Sequence, residues 1–134
     1  GGPGCDYRSM LNCQDLASDG FLVVFYDQRG SGLSQRHSRE SYTNRTMVDD
    51  LEALIQHYRK TPAQKVFLLG HSWGGMLATA YINEHPNQIS GAVLAEPGGF
   101  TWEVAKDYVE RTRDLFLLGE MANDAFYLDQ ILTG

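Results

Sequence analysis

Residues 65–81 constrain this chain more than any other stretch. The apolar run Lys65-Val66-Phe67-Leu68-Leu69 leads into Gly70-His71-Ser72-Trp73-Gly74, and Gly75-Met76-Leu77-Ala78-Thr79-Ala80-Tyr81 follows. So short and apolar a run suits a strand of a parallel sheet covered by helices on both faces. The small residues and helix formers after Gly74 suit a helix. Between the two the chain must turn within a few residues, and the glycines on either side of Ser72 leave room where side chains would collide. The expected local structure is a strand, a sharp turn and a helix, with a serine lifted clear at the apex.

Placed in this way, G-x-S-x-G is the arrangement that presents a nucleophile. A serine hydroxyl attacks weakly at neutral pH, so it needs a base to take its proton and donors for the oxyanion formed at a carbonyl. The Trp73 amide, in the first turn of the expected helix, is one candidate donor. The bland alternative is a Gly/Ser turn in an ordinary strand–helix unit. The apolar strand before Ser72 and the helix after it favour the catalytic reading.

The flanking chain supplies the architecture. Tyr7, Met10, Leu11 and Leu16 approximate a helical stripe over 7–17, stopped by Asp19-Gly20. Phe21-Leu22-Val23-Val24-Phe25-Tyr26 reads as a strand, and Asp27-Gln28-Arg29-Gly30-Ser31-Gly32-Leu33-Ser34 as a tightly turned loop whose Asp27 and Arg29 are spaced to brace one another. A polar loop over 36–44 follows. Thr46 is the expected N-cap of an amphipathic helix, with Asp49 and Asp50 in its first turn and Met47, Val48, Leu51, Leu54, Ile55 and Tyr58 on one face. Thr61-Pro62 ends it. The helix after Ser72 runs to about His85-Pro86, and residues 89–95 read as another buried strand. Alternating strands and helices predict a parallel α/β sheet with its site at the carboxyl ends of the strands. Beyond Glu96-Pro97-Gly98-Gly99 no strand follows, and 102–113 and 121–132 read as helices. The expected organisation is a core over 1–99 and the start of a helical insertion over 100–134, whose Trp102 and Phe116 either line a pocket or pack the insertion down.

With 43% apolar and 21% charged residues the chain has the composition of a soluble domain, and its net charge of −6 argues against a nucleic-acid partner. No apolar run reaches the ~20 residues of a membrane span. Cys5 and Cys13 read as buried thiols rather than as a disulfide or metal ligands, which suits a reducing, cytoplasmic compartment. Asn44-Arg45-Thr46 matches a glycosylation sequon, a pattern too short to carry weight alone. The chain opens on Gly1 without an initiator methionine and closes on Gly134, so both ends look like cuts through a longer protein, and the lack of a signal peptide is uninformative.

Three motifs stand in order: Gly1-Gly2-Pro3-Gly4, then residues 25–34, then Gly70-His71-Ser72-Trp73-Gly74-Gly75. Together they resemble the prolyl aminopeptidase (proline iminopeptidase) branch of the α/β-hydrolase fold, over nearly the whole chain up to the insertion. The resemblance implies a partial α/β-hydrolase sheet and the start of a helical cap. It also implies hydrolysis of an N-terminal residue, often proline, from a peptide; no cofactor or metal is expected from the residues. By that likeness Gly1-Gly2-Pro3-Gly4 is the end of an H-G-G-P-G loop, and the Gly2 amide is the second oxyanion donor opposite Trp73. Such a turn also exposes N–H groups with no side chain in the way. Loop 27–34 is expected to shape the site rather than react. Glu96, at the mouth of its strand, is a candidate to grip the substrate's free amine; it is equally placed to cap a turn or to act as the triad acid.

In this fold the nucleophile is followed by an acid and then a histidine base on late strands. None of the four histidines, His37, His57, His71 and His85, fits that role, and His71 is expected to pack into its surroundings. Acid and base are therefore expected outside this sequence, as is the strand that would lie between the Phe21 and Val66 strands. Rival readings are an esterase or amide hydrolase of the same fold and a non-catalytic α/β module; dehalogenases and epoxide hydrolases carry aspartate where Ser72 stands. A polypeptide of residues 1–134 alone is expected to fold poorly and to leave proline 2-naphthylamide intact. Turnover at the rate of a whole enzyme would overturn that expectation.

Overall fold

The computed structural model describes residues 1–99 and 101–118. The expected helix over 121–132, the expected boundary residue Phe100 and the side chain of Phe116 lie outside what is described. The elements are a 3-10 helix Tyr7–Asp19, a 3-10 turn Arg39–Ser41, helix α1 (Asn44–Tyr58), strand β1 (Phe67–His71), helix α2 (Trp73–Glu84), strand β2 (Gly91–Ala95) and helix α3 (Trp102–Leu118). They fall into two compact units, Gly1–Pro97 and Gly98–Gly134. In the second, the Thr101 hydroxyl accepts from the Val104 amide at 3.4 Å at the start of α3, and Arg111 pairs with Asp107 one turn back at 2.9 Å. Among the described residues no helix is long and apolar enough to cross a membrane.

The first unit has the expected strand–helix alternation. β1 and β2 pair in parallel, with Leu69 beside Val93 and His71 beside Ala95, so both strands deliver their carboxyl ends to one edge. α1 and α2 pack together through Met47, Val48, Leu51 and Ile55 on the first helix and Leu77 and Tyr81 on the second, with Leu68, Val66 and Tyr26 against them. The threefold and fourfold spacing of the α1 residues forces this: they share one stripe, and burying it is what holds the helix.

Several expectations need correction. α1 is capped by Thr43, not Thr46: the Thr43 hydroxyl accepts from the Thr46 amide at 3.1 Å, and Thr46 Oγ1 accepts from the Thr43 amide in return. The reciprocal pair satisfies two amides where a Thr46 cap would satisfy one, so the helix starts earlier and Asp49 and Asp50 fall beyond its first turn. The expected helix over 7–17 is instead part of a 3-10 helix, Tyr7–Asp19; no residue of it is buried, so tertiary packing does little to enforce the 3.6-residue period. Gly20 does stop it, in the left-handed conformation. Phe21-Leu22-Val23-Val24-Phe25-Tyr26 is not a strand: from Leu22 to Tyr26 no amide finds a backbone acceptor among the described residues, for want of a neighbouring strand. Nor is the sheet covered on both faces. Phe67 is 52% and Val93 60% exposed: among the described residues the buried cluster packs on the Leu68 face, and on the other face the Phe21 ring meets Phe67 edge-on at 6.0 Å. Cys5 is exposed and Cys13 only partly covered, since the 3-10 helix that carries Cys13 lies on the surface.

Tyr81, with no exposed surface, donates its hydroxyl to Glu52 and so ties α2 to α1. Burial, and then the Glu52 carboxylate, push the phenol well above its ordinary value. The Tyr81 hydroxyl in turn holds the Glu52 carboxyl below the usual range, against a smaller opposing effect of burial. A carboxyl depressed in the folded state adds stability above its unfolded pKa, near 4.5, that is lost as pH falls through the lower folded value. Tyr81→Phe should therefore lower stability at pH 7 by about 1 kcal/mol and flatten its decline between about pH 5 and pH 3. Urea titrations of both proteins across that range check this; an unchanged slope would show that Glu52 is not the group responsible.

Candidate active site

The carboxyl edge of the sheet places Ser72 at the junction of β1 and α2, with φ 53° and ψ −120°. This is backbone that a residue with a side chain rarely adopts, and it persists only when its surroundings hold it, at a cost of about 1–3 kcal/mol. Three bonds hold it here. The Ser72 amide donates to the Ala95 carbonyl at 3.0 Å, stitching the turn to the end of β2, and its carbonyl accepts from Gly75 at 2.9 Å and Met76 at 3.3 Å as the first turn of α2. The Ser72 side chain makes no capping bond to its own helix, so the hydroxyl is left for other partners.

The glycines around it are not equivalent. A Cβ on Gly70 would overlap the Gly74 carbonyl and stand 2.6 Å from the Gly75 nitrogen, so α2 can follow β1 this closely only if Gly70 has no side chain. Gly74 is different from expectation: a Cβ there would lie 3.6 Å from the Gly1 nitrogen, ordinary contact, and its conformation is helical. The same distance shows that the Gly1-Gly2-Pro3-Gly4 turn lies against the start of α2. Among the described residues neither the Gly2 nor the Trp73 amide donates to a protein acceptor, so both N–H groups on this edge are unengaged.

Loop 27–34 meets both neighbours. The Trp73 indole donates to Gln28 Oε1 at 3.1 Å, and Ser31, 2% exposed, accepts from the Gly4 amide at 2.7 Å. Asp27 and Arg29 do not brace one another as expected. Arg29 forms a bidentate pair with Asp50 of α1, at 2.6 and 2.7 Å, and its third nitrogen reaches the Ser41 carbonyl at 3.2 Å. The fork geometry of guanidinium and carboxylate favours that pairing. Asp27 instead accepts from the Leu33 amide at 2.9 Å and the Tyr7 amide at 2.8 Å, closing the loop on itself. Tyr26 lies behind the pair, and burial, then the Asp50 charge, push its phenol up to about 12. Gln28, Ser31 and Asp50 are the residues that sequence reading missed. The only signal was Ser31 between two glycines, Gly30 and Gly32, both of which take positive φ.

His71 ends β1 and Glu96 directly follows β2, with His71 Nε2 3.6 Å from Glu96 Oε2. His71 is not packed away: its side chain is 44% exposed, because an odd position on β1 faces the uncovered side of the sheet. Glu96 is 90% exposed and has φ 45°, so its carboxylate stands free at the rim of this edge. No histidine among the described residues hydrogen-bonds the Ser72 hydroxyl. The structure thus brings Ser72, Trp73, the Gly2 turn and Glu96 to one edge.

A sequence profile for the family described as serine aminopeptidase, S33, matches residues 8–121. Among curated proteins, a proline iminopeptidase of Thermoplasma volcanium is 37% identical over 95 residues, 71% of this chain and 32% of that protein. One from Clostridium botulinum is 35% identical over 125 residues, 90% of this chain and 40% of its own length, and one from Arabidopsis thaliana is 34% identical over 128 residues, 95% and 28%. The chain spans about a third of the length of the curated relatives it matches.

The two elbow glycines give opposite expectations. Gly70→Ala forces backbone against backbone and should cost about 3 kcal/mol or more, whereas Gly74→Ala should be neutral or stabilise α2 by up to about 0.5 kcal/mol. Thermal unfolding of both variants separates them. Equal tolerance at the two positions would mean that the turn relaxes.

Proposed function

Because the chain belongs to the serine aminopeptidase family S33, we propose that it carries the nucleophile and oxyanion donors of an aminopeptidase that releases an N-terminal residue, proline foremost, from peptides. The observation that carries this is Ser72 itself, held at positive φ between a parallel strand and a helix with its hydroxyl uncommitted to a cap. Strained backbone of this kind clusters at active sites, where it is part of the mechanism.

In the proposed reaction Ser72 Oγ attacks the carbonyl carbon of the N-terminal residue while a base takes the hydroxyl proton. The oxyanion is received by the Trp73 amide at the start of α2 and the Gly2 amide from the adjoining turn, both unengaged. Collapse of this intermediate breaks the amide bond, the base returns its proton to the departing amine, and water releases the residue from Ser72 by the same steps in reverse order. Base and acid are assigned to residues outside this chain, since the relatives are about three times as long as the stretch they share with it. Glu96, 90% exposed at the strand mouth, supplies negative charge for the ammonium group of a free N-terminus, a secondary ammonium in proline. The relatives' shared name, proline iminopeptidase, supports the choice of proline.

The full-length protein should be labelled by a fluorophosphonate probe and should hydrolyse proline 2-naphthylamide, and Ser72→Ala should remove the label and lower kcat by at least about 10³-fold. N-acetylated substrates should be refused. A well-folded protein that is not labelled would sink the serine-hydrolase reading; equal turnover of blocked substrates would leave a hydrolase but remove the aminopeptidase.

A further inference from the structure

Resting on the nucleophile role proposed for Ser72, we infer that Gln28 and Ser31 are positioning residues which fix the spacing between the two oxyanion donors. Each donor sits on a separate piece of chain. Trp73 begins α2, Gly2 belongs to a turn far away in sequence, and among the described residues no hydrogen bond joins the two segments, although Gly1 lies near Gly74. Such an approach limits how near they come but not how far apart they drift. One loop bonds to both. Gln28 Oε1 takes the Trp73 indole N–H at 3.1 Å, and Ser31 Oγ takes the Gly4 amide at 2.7 Å.

The bracket is itself stiff and anchored. Ser31 is buried, the Ser31 amide donates to the Gln28 carbonyl at 2.9 Å, and the Ser34 amide donates to the Ser31 carbonyl at 3.0 Å, so the two gripping residues are joined by a closed turn. Arg29, between them, is held by both carboxylate oxygens of Asp50, which fastens the loop to the packed helix α1. A donor contributes to an oxyanion only within a few tenths of an ångström of its best position, and such a group acts on the transition state rather than on the bound substrate. The bracket therefore sets kcat more than KM.

The test uses the full-length enzyme with proline p-nitroanilide, together with a boronate inhibitor, which mimics the tetrahedral intermediate, and free proline as the product. Gln28→Leu and Ser31→Ala should each lower kcat about tenfold, change KM less than threefold, and weaken the boronate in step with kcat/KM while sparing proline binding. Gln28→Glu, which keeps an acceptor of the same shape, and Ser31→Thr, which keeps the hydroxyl, should restore most of the rate. Loss of rate only in proportion to loss of folded protein, or a loss confined to KM, would overturn the bracket. So would unchanged kcat in both variants. Ser72→Ala keeps this separate from the premise: if it retains turnover the nucleophile assignment fails, whereas a dead Ser72→Ala beside fully active Gln28→Leu and Ser31→Ala removes the bracket alone.

Discussion

The approach of Gly70 to the first turn of α2 is the constraint on which the first unit depends. Because no side chain intervenes, α2 turns back immediately after β1 and lies along the sheet. That direction carries Leu77 and Tyr81 onto the apolar stripe of α1, so the packed core and the exposed serine follow from one reversal. The Ser72 amide, bonded to Ala95, extends the same constraint to β2 and keeps both strand ends level. Strain at Ser72 is tolerated because these contacts leave the chain no lower path.

Around that reversal, three segments far apart in sequence meet by different forces. The Gly1 turn lies against the start of α2, where even a side-chain carbon on Gly74 would make only ordinary contact with it. Loop 27–34 holds each of them by a hydrogen bond that a short or planar side chain accepts, Ser31 from Gly4 and Gln28 from the Trp73 indole. Arg29 and Asp50 then fix the loop to the helix layer through a charged fork, whose two parallel bonds set direction as well as distance. The chemistry proposed for Ser72 needs donors that do not rearrange as charge develops, and a site built from backbone groups and braced from behind meets that need.

How much of this was legible in the sequence follows from what each feature depends on. Helix α1 and the β1–α2 turn were readable because local pattern decides them: the three-and-four spacing from Met47 to Ile55, and glycine before Ser72. The α1 start was misplaced because Thr43 and Thr46 are both competent caps, and only the reciprocal pair distinguishes them. Phe21-Leu22-Val23-Val24-Phe25-Tyr26 has every residue a strand would want, yet a strand is a relation between two segments, and composition cannot show whether a neighbour is there. Arg29 was given the wrong acid for a similar reason. Asp27 is nearer in sequence, but the loop's turns point it back toward Leu33, while folding brings Asp50 from α1. Gln28 and Ser31 were invisible because their partners are a tryptophan ring and a backbone amide on other segments.

The uncovered side of the sheet has a practical consequence. Leu69 and Val93 stand side by side in the parallel register with Phe67 two residues away on the same face, and all three are exposed. A fluorescent probe of greasy surfaces such as ANS will find a platform there on the intact fold. Its brightening, ordinarily taken as the mark of a loosened, molten interior, will here report a folded sheet face that, among the described residues, only the Phe21 ring touches.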